Sequence, residues 1–475
     1  MKRSALLMIL LAAAASAAAR PPNIVLVMPD DVGYGDYSFV GNPVIQTPAI
    51  DGFSQQAVRF TDVQVAPTCS PTRSSIMTGR HEFRNGVTHT IHERERLTLR
   101  ATTLAQVLKS AGYTTGIFGK WHLGDEEAYR PENRGFDEVY IHGAGGIGQS
   151  YPGSCGDAPG NSNINPALWH NGSFVRTEGY CTDLFFSRAM EWMDEQRGGA
   201  KPFFAMITPN APHTPHVVPE DYYRHLLPKL ADHGKKALGF ARFLGMIENI
   251  DGNFGKLLGR IDAMGIRDNT LVIYMGSDNG GTAGAPLFDA GLRGAKGSPW
   301  QGGTRTWACW RWPAGFAAPA DCGALTSRVD IFPTLAEIAG AVLSDDVRTQ
   351  VEGRSLLPLL RDQKAAWPDR TLVSHVGRWE PGASPQTLKY ERCAIRNTRF
   401  TLVNNQQLFD LSTDPGEKTD VMEKHPEVVA RLRAEYEAWW ESVQPQLVNE
   451  DAHRTAPAVN PFKTLYERQF GTDRP

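Results

Sequence analysis

Short apolar runs alternate with helical stripes along most of this chain. Runs at 24–28, 114–118, 203–208 and 270–275 read as strands. Leu104, Leu108 and Ala111 form a helical pattern before the second run. Phe243, Leu244, Ile247, Ile250, Phe254, Leu257, Leu258 and Ile261 form a longer apolar stripe before the fourth. This alternation predicts an α/β sheet. The far end reads differently. Segments 371–375, 394–396, 400–403 and 407–410 are short strands at hairpin spacing, with a tight turn at Asn404-Asn405. Pro426 then opens a helix with Val428, Val429, Leu432, Tyr436, Trp439 or Trp440, and Val443 on one face. A small antiparallel sheet plus a helix, docked on the main domain, is therefore expected, with the joint near 361–370. No internal repeat is visible. Beyond Ser442 the pattern is weak, though Pro461, Phe462 and Tyr466 are placed to pack down.

With 475 residues the chain can bury a large core in more than one structural unit. The formal charge of −3 provides no broad basic surface, so nucleic acid is not an expected partner. Lys2 and Arg3, the apolar run 5–14 and an A-x-A site predict an export signal over 1–19. That run is too short to span a bilayer and no later segment is suited to do so. The expectation is a periplasmic or secreted protein, with a catalytic domain over 20–365 and a C-terminal subdomain over 366–475.

Each of the four apolar runs leads into titratable or polar groups. The first leads to Asp30 and Asp31, the second to Lys120 and His122, the third to His213 and His216, the fourth to Asp278 and Asn279. Ligand sites in open α/β sheets lie beyond the carboxyl ends of strands, so these groups are expected around one crevice. Asp30, Asp31, Asp278 and Asn279 offer only oxygen ligands, which suits a hard cation such as Ca²⁺ or Mg²⁺ and not Zn²⁺. His122 and His213 are the candidate acid and base. Cys69-Ser70-Pro71-Thr72-Arg73 places a thiol just before a proline that can start a helix. A helix N-terminus favours negative charge, and Arg73, about one turn on, can grip a tetrahedral oxyanion in two-pronged fashion.

That pentapeptide resembles the signature of type I sulfatases, in which this cysteine is oxidised to formylglycine. The stretch from Gly112 through Lys120-Trp121-His122 resembles the second signature of that family. The similarity runs from about 22 to about 420. Thr72 stands where the family more often has Ser, and Gln301 where it commonly has Glu. The resemblance implies an alkaline-phosphatase-like fold: a large, mostly parallel mixed sheet sandwiched by helices, with a smaller C-terminal antiparallel sheet plus helix. It implies a catalytic set of Cys69, Arg73, Lys120, His122, His213 and Lys296. Ca²⁺, ahead of Mg²⁺, would be held by Asp30, Asp31, Asp278 and Asn279, with the modified Cys69 as a further ligand. Arg293 is expected to be peripheral and His216 to touch substrate. The implied activity is hydrolysis of sulfate monoesters on sulfated carbohydrates or aryl sulfates, after action of a separate formylglycine-generating enzyme. The alternatives are a phosphonate or phosphodiester hydrolase of the same superfamily and a non-catalytic binder of sulfated glycans. With Cys69 set aside, five cysteines remain. Sequence proximity favours Cys155–Cys181 and Cys309–Cys322 bridges and leaves Cys393 unpaired and buried, though spacing does not determine connectivity. The Gly-rich loop from His142 to Tyr151, the 155–181 segment and residues 379–389 are expected to border the pocket.

Overall fold

The computed structural model describes residues 21–475 except 150, 152, 153, 381, 449–459 and 474. The expected export signal lies outside the described residues. Eleven strands form the large sheet: β1 (Asn23–Val27), β2 (Val58–Gln64), β3 (Thr114–Lys120), β4 (Glu138–His142), β5 (Ala167–His170), β6 (Ser173–Arg176), β7 (Phe203–Thr208), β8 (Thr270–Met275), β9 (Arg305–Arg311), β10 (Ala320–Cys322) and β11 (Thr326–Ser327). Their order is β10-β2-β9-β8-β1-β7-β3-β4-β5-β6, with β11 paired to β2. The four strands read from the sequence are neighbours at the centre, β8-β1-β7-β3, and all are parallel.

Along β1, Ile24 and Leu26 enter one core while Val25 and Val27 enter the other. Both faces of the sheet are covered, which is why the apolar runs are continuous and do not alternate. Helices Cys69–Thr78, Leu104–Ser110 and Ile331–Ile338 fill one side; Cys181–Gln196 and Ala237–Ala263 fill the other. The apolar stripe of the last helix is buried except for Leu258, which lies half-buried at its margin. Strands β2 and β9 escaped the sequence reading because Arg59, Asp62 and Gln64 in one and Arg305, Thr306 and Arg311 in the other interrupt their apolar pattern.

The second sheet is antiparallel: β12 (Leu372–His375), β13 (Cys393–Arg396), β14 (Phe400–Val403) and β15 (Gln407–Asp410), in that order. Asn404 and Asn405 are both left-handed at the expected turn, a conformation asparagine tolerates well. Helix Pro426–Val443 covers this sheet with Val429, Leu432, Tyr436, Trp440 and Val443; Trp440 is fully buried and Trp439 sits at the edge. Arg396 crosses to Asp62 at 2.9 Å and to Gln301 at 3.1 Å, tying β13 to the main sheet. Phe462 and Tyr466 do pack down, on helix Pro461–Phe470 against Trp169 and Phe174 at the β5–β6 edge.

His375 is buried against Trp379 and Trp440; its Nδ1 accepts from Gly377 N at 3.0 Å. Burial holds its imidazole down at about 3. Protonation is therefore easier in the unfolded chain, so this contribution to stability is full above pH 6.5 and is lost as pH falls toward 3. His375→Asn should remove that dependence, flattening the pH profile of unfolding free energy by ~1.4 kcal/mol per pH unit across this window. Equal slopes for both chains in denaturant titrations would show that His375 is not buried neutral.

The expected disulfides do not form: all six cysteines are free and buried. Cys309 on β9 and Cys322 on β10 lie on opposite sides of β2, opposite Arg59 and Phe60 respectively. Two strand spacings separate them by about 9–10 Å, beyond the reach of a bridge. Cys155 Sγ accepts from Gly124 N at 3.2 Å, whereas Cys181 Sγ lies at the start of its helix, 3.5 Å from Asn210 Oδ1. Cys393 is buried and unpaired, as expected. Among the described residues no helix is long and apolar enough to cross a membrane.

Candidate active site

Helix Cys69–Thr78 begins at the thiol itself, and all ten of its residues are buried. Thr68 supplies the extended residue before it, and Thr72 Oγ1 accepts from Ala66 N at 2.8 Å, pinning the entry of the chain. Serine carries the same hydroxyl, so the Thr72 departure keeps this contact. Cys69 is 1 % exposed, and its Sγ lies 3.6 Å from His122 Nδ1. Burial alone would raise the thiol pKa, but the charges of Lys120 and Lys296 outweigh it and the net shift is downward.

Because the four central strands are parallel, their carboxyl ends share one edge of the sheet and bring the predicted residues together. Lys120 Nζ meets Asp30 Oδ2 at 2.6 Å, with both side chains fully buried. Lys296 Nζ meets Asp31 Oδ1 at 2.5 Å, and Asn279 Nδ2 donates to the same oxygen at 2.9 Å. Arg73 Nε donates to Asp278 Oδ2 at 2.8 Å and its Nη1 to the Lys120 carbonyl at 2.9 Å. His213 Nε2 lies 3.8 Å from Asp31 Oδ2. Asp31 and His122 both hold left-handed backbone, a costly conformation that surrounding structure must enforce.

Ligand oxygens of Asp30, Asp31 and Asp278 lie within 4.8 Å of one another. Asp30 Oδ1, Asp278 Oδ1 and Asn279 Oδ1 are buried without a hydrogen-bond partner. Burial, then repulsion from the neighbouring acid, raises Asp30 to about 7 and Asp278 to about 6, against the pull of Lys120 and Arg73. Asp31 is held low: burial opposes ionisation, but Lys296, His213 and Lys120 prevail. Orphaned oxygens on crowded carboxylates fit a hard divalent cation.

Burial, reinforced by Lys120, drives the His122 imidazole well below its ordinary pKa. Its Nε2–H donates to the Thr90 carbonyl at 2.9 Å, which leaves Nδ1 unprotonated toward Cys69. His213 Nδ1–H donates to the Thr214 carbonyl at 2.8 Å, and burial lowers its pKa despite Asp31. The Gly-rich loop closes on both rings. A β-carbon on Gly145 would stand 3.0 Å from His122 Cε1, and one on Gly146 2.7 Å from His213 Nδ1, so these glycines answer a close approach. His216 sets its ring edge-on to Phe243 and lies within the electrostatic reach of Asp31 and His213. Arg293 is peripheral as expected, 3.6 Å over the Trp300 ring and bonded to the Glu417 carbonyl.

Three participants were missed. Ser70 Oγ lies 3.3 Å from the His122 ring nitrogens, and Thr90 orients that ring through its carbonyl. His142 ends β4 in register with Lys120, fully buried with neither ring nitrogen bonded. The rule that strand ends bear chemistry would have found His142, had β4 been recognised.

A buried nucleophile position at a helix N-terminus, three cations and a cluster of acids at the carboxyl edge of an α/β sheet define a hydrolase of tetrahedral oxyanion esters. A family model described as Sulfatase matches residues 22–341. Mouse arylsulfatase G is 30 % identical over 381 residues, 71 % of this chain and 68 % of its own. The N-acetylgalactosamine-6-O-sulfatase of Bacteroides thetaiotaomicron is 28 % identical over 490 residues, covering 86 % of this chain and 91 % of its own. The solved structure of Ps i-CgsB in complex with k-i-k-neocarrahexaose superposes with a TM-score of 0.79 at 27 % identity, over 95 % of this chain and 97 % of that one. The chain belongs to the sulfatase family and is a sulfuric ester hydrolase of alkaline-phosphatase-like fold.

Proposed function

We propose that this enzyme removes sulfate from sulfated carbohydrates through a formylglycine made from Cys69. The observation that carries this reading is the position of Cys69: buried at a helix N-terminus, facing the unprotonated Nδ1 of His122 and under the charges of Lys120 and Lys296. A separate maturation enzyme, using an external oxidant, would break the Cβ–S bond, release the sulfur and leave an aldehyde on that carbon, whose hydrate carries two hydroxyls. Asp30, Asp31, Asp278 and Asn279 would hold a hard divalent cation, Ca²⁺ ahead of Mg²⁺ as the family resemblance implies, which would supply positive charge against the sulfate oxygens.

This chain's own residues carry the steps. Arg73, Lys120 and Lys296 hold the sulfate oxygens and offset the charge that develops on them. One hydroxyl of residue 69 gives its proton to the Asp278 carboxylate as its oxygen bonds to sulfur. The bond from sulfur to the sugar oxygen breaks, and that oxygen takes a proton from His213 with Lys296. Burial keeps His213 neutral, with its Nδ1–H on the Thr214 carbonyl, while Asp31 outweighs burial to keep Lys296 charged, so the proton given at neutral pH is the one on Lys296, and the bare Nε2 of His213 can only pass it on. His122 Nδ1 then accepts the proton of the second hydroxyl, the aldehyde re-forms, and sulfate leaves. A plain hydroxyl or thiol has no second proton to drive that release.

A carbohydrate substrate is supported by the carbohydrate relatives above and by the expected export signal, which would deliver the enzyme outside the cytoplasm to polymeric glycans. The test is peptide mass spectrometry across Cys69 on protein made with a formylglycine-generating partner, followed by assay of sulfate release from sulfated sugars. An aldehyde with sulfate released is the expected result. A persistent thiol in protein that still releases sulfate would overturn the mechanism.

A further inference from the structure

Arg378 follows β12, lies against the 88–90 loop and Gly297, and belongs to none of the catalytic groups above. Its backbone is left-handed, φ 50°, and so is that of Gly377 before it. A β-carbon on Gly377 would stand 2.0 Å from the Thr88 carbonyl oxygen, and Arg378 N donates to that same oxygen at 2.9 Å. The turn is thus clamped to the 88–90 loop, and a strained arginine persists only where its surroundings hold it. Its Nη2 donates to Thr90 Oγ1 at 3.2 Å, and the Thr90 carbonyl is the group that orients His122. Its Nη1 would lie 4.0 Å from a β-carbon placed on Gly297, the residue after Lys296. The guanidinium therefore stands one residue away from each of two catalytic candidates.

Its charge is unanswered. Buried Arg73, Arg328 and Arg396 each pair with a carboxylate, Asp278, Glu82 and Asp62 respectively. Among the described residues none pairs with Arg378, which is half-buried, and its Nε is buried without a hydrogen-bond partner. Burial first, then the charges of Arg378, His92, Arg94 and Arg392, hold the nearby His89 imidazole down at about 3; Glu380 acts on Arg94 and Glu391 lies 3.8 Å from Arg392, while neither is paired with Arg378. A half-buried guanidinium with no carboxylate beside it is a ready partner for an anion that arrives from solution.

We propose that Arg378 is a specificity-determining residue that grips a second anionic group, a carboxylate or a further sulfate, on the saccharide whose scissile sulfate lies against residue 69. This rests on the sulfatase reading for where the scissile group sits, and it narrows the substrate to a polyanionic saccharide. The planar fork of arginine matches either oxyanion with two parallel hydrogen bonds.

The test is calorimetric binding to the full chain carrying Cys69→Ala, which cannot turn over. Three probes are compared: N-acetylgalactosamine 6-sulfate, its 4,6-disulfate, and the 6-sulfate linked to a hexuronate. With Arg378 present, at least one second anion should tighten binding about tenfold or more, the worth of a charge-assisted pair. Arg378→Met should bring that ratio close to one, and Arg378→Lys should keep part of it. A gain on the disulfate alone identifies sulfate; a gain on the uronate alone identifies carboxylate. No gain with Arg378 present, or a gain that survives Arg378→Met, overturns the proposal. Because binding is read without turnover, it is separable from failure of the hydrolytic mechanism, which appears as formylglycine-bearing protein that releases no sulfate.

Discussion

Cys69→Ala is expected to abolish sulfate release, lowering kcat by at least about 10⁴-fold, as loss of a covalent nucleophile does elsewhere. No other group can replace it. Ser70 Oγ is near His122, but an unmodified serine has one hydroxyl, and the ester it would form could not collapse to an aldehyde. The fold should survive. Cys69 is the first residue of its helix, with its Sγ 3.6 Å from His122 Nδ1, while the helix entry is held by Thr72. Deleting one buried sulfur should cost roughly 1 kcal/mol or a little more. Steady-state assay and a melting curve on the same protein check both halves. Full activity in the alanine variant would sink the covalent mechanism; lost activity with a collapsed melting transition would show that residue 69 is needed for folding.

Removal of the divalent ion should have the next largest effect, lowering kcat by about 10²-fold or more, since a bound cation supplies several kcal/mol of charge stabilisation. Without it, Asp30, Asp31 and Asp278 crowd within 4.8 Å, and three buried oxygens have nothing to meet. Chelation with elemental analysis to confirm metal loss, then titration with Ca²⁺ and separately Mg²⁺, is the measurement. Ca²⁺ should restore activity and raise the melting temperature with concentration, as a ligand that binds only the folded state must. The pH dependence has a definite sign. Burial raises the ion-free Asp30 to about 7 and Asp278 to about 6, so protons compete for the site as pH falls through this range and Ca²⁺ affinity drops. Ion-free protein with undiminished activity would rule out a catalytic metal.

Much of the candidate site was legible in one dimension. The runs that became β1, β3, β7 and β8 are continuous because each is buried on both faces, and a continuous apolar run is a strong local signal. Chemistry placed just past such strands announces itself, as Asp30, Asp31, Lys120, His122, His213, Asp278 and Asn279 did. His142 was lost because β4, Glu138–His142, was not recognised as a strand. Ser70 and Thr90 were lost because hydroxyls and carbonyls that orient another residue carry no sequence signature of their own. The disulfide pairing failed for a related reason: 13 positions separate Cys309 from Cys322, yet β2, from far earlier in the chain, lies between them.

By itself the sequence determined which segments are strands and helices at the centre of the fold, which of their ends carry titratable groups, and that a thiol starts a helix one turn before an arginine. Those are short-range properties, governed by side-chain periodicity and by what a proline or a strand end permits nearby. Only the tertiary structure decided the partners. Lys120 pairs with Asp30 and Lys296 with Asp31, the six thiols stay apart, Gly145 and Gly146 close on the two histidines, and Arg378 arrives from the second sheet. These contacts join residues tens to hundreds of positions apart. They depend on strand order and on how the two sheets dock, and no local pattern along the chain specifies either.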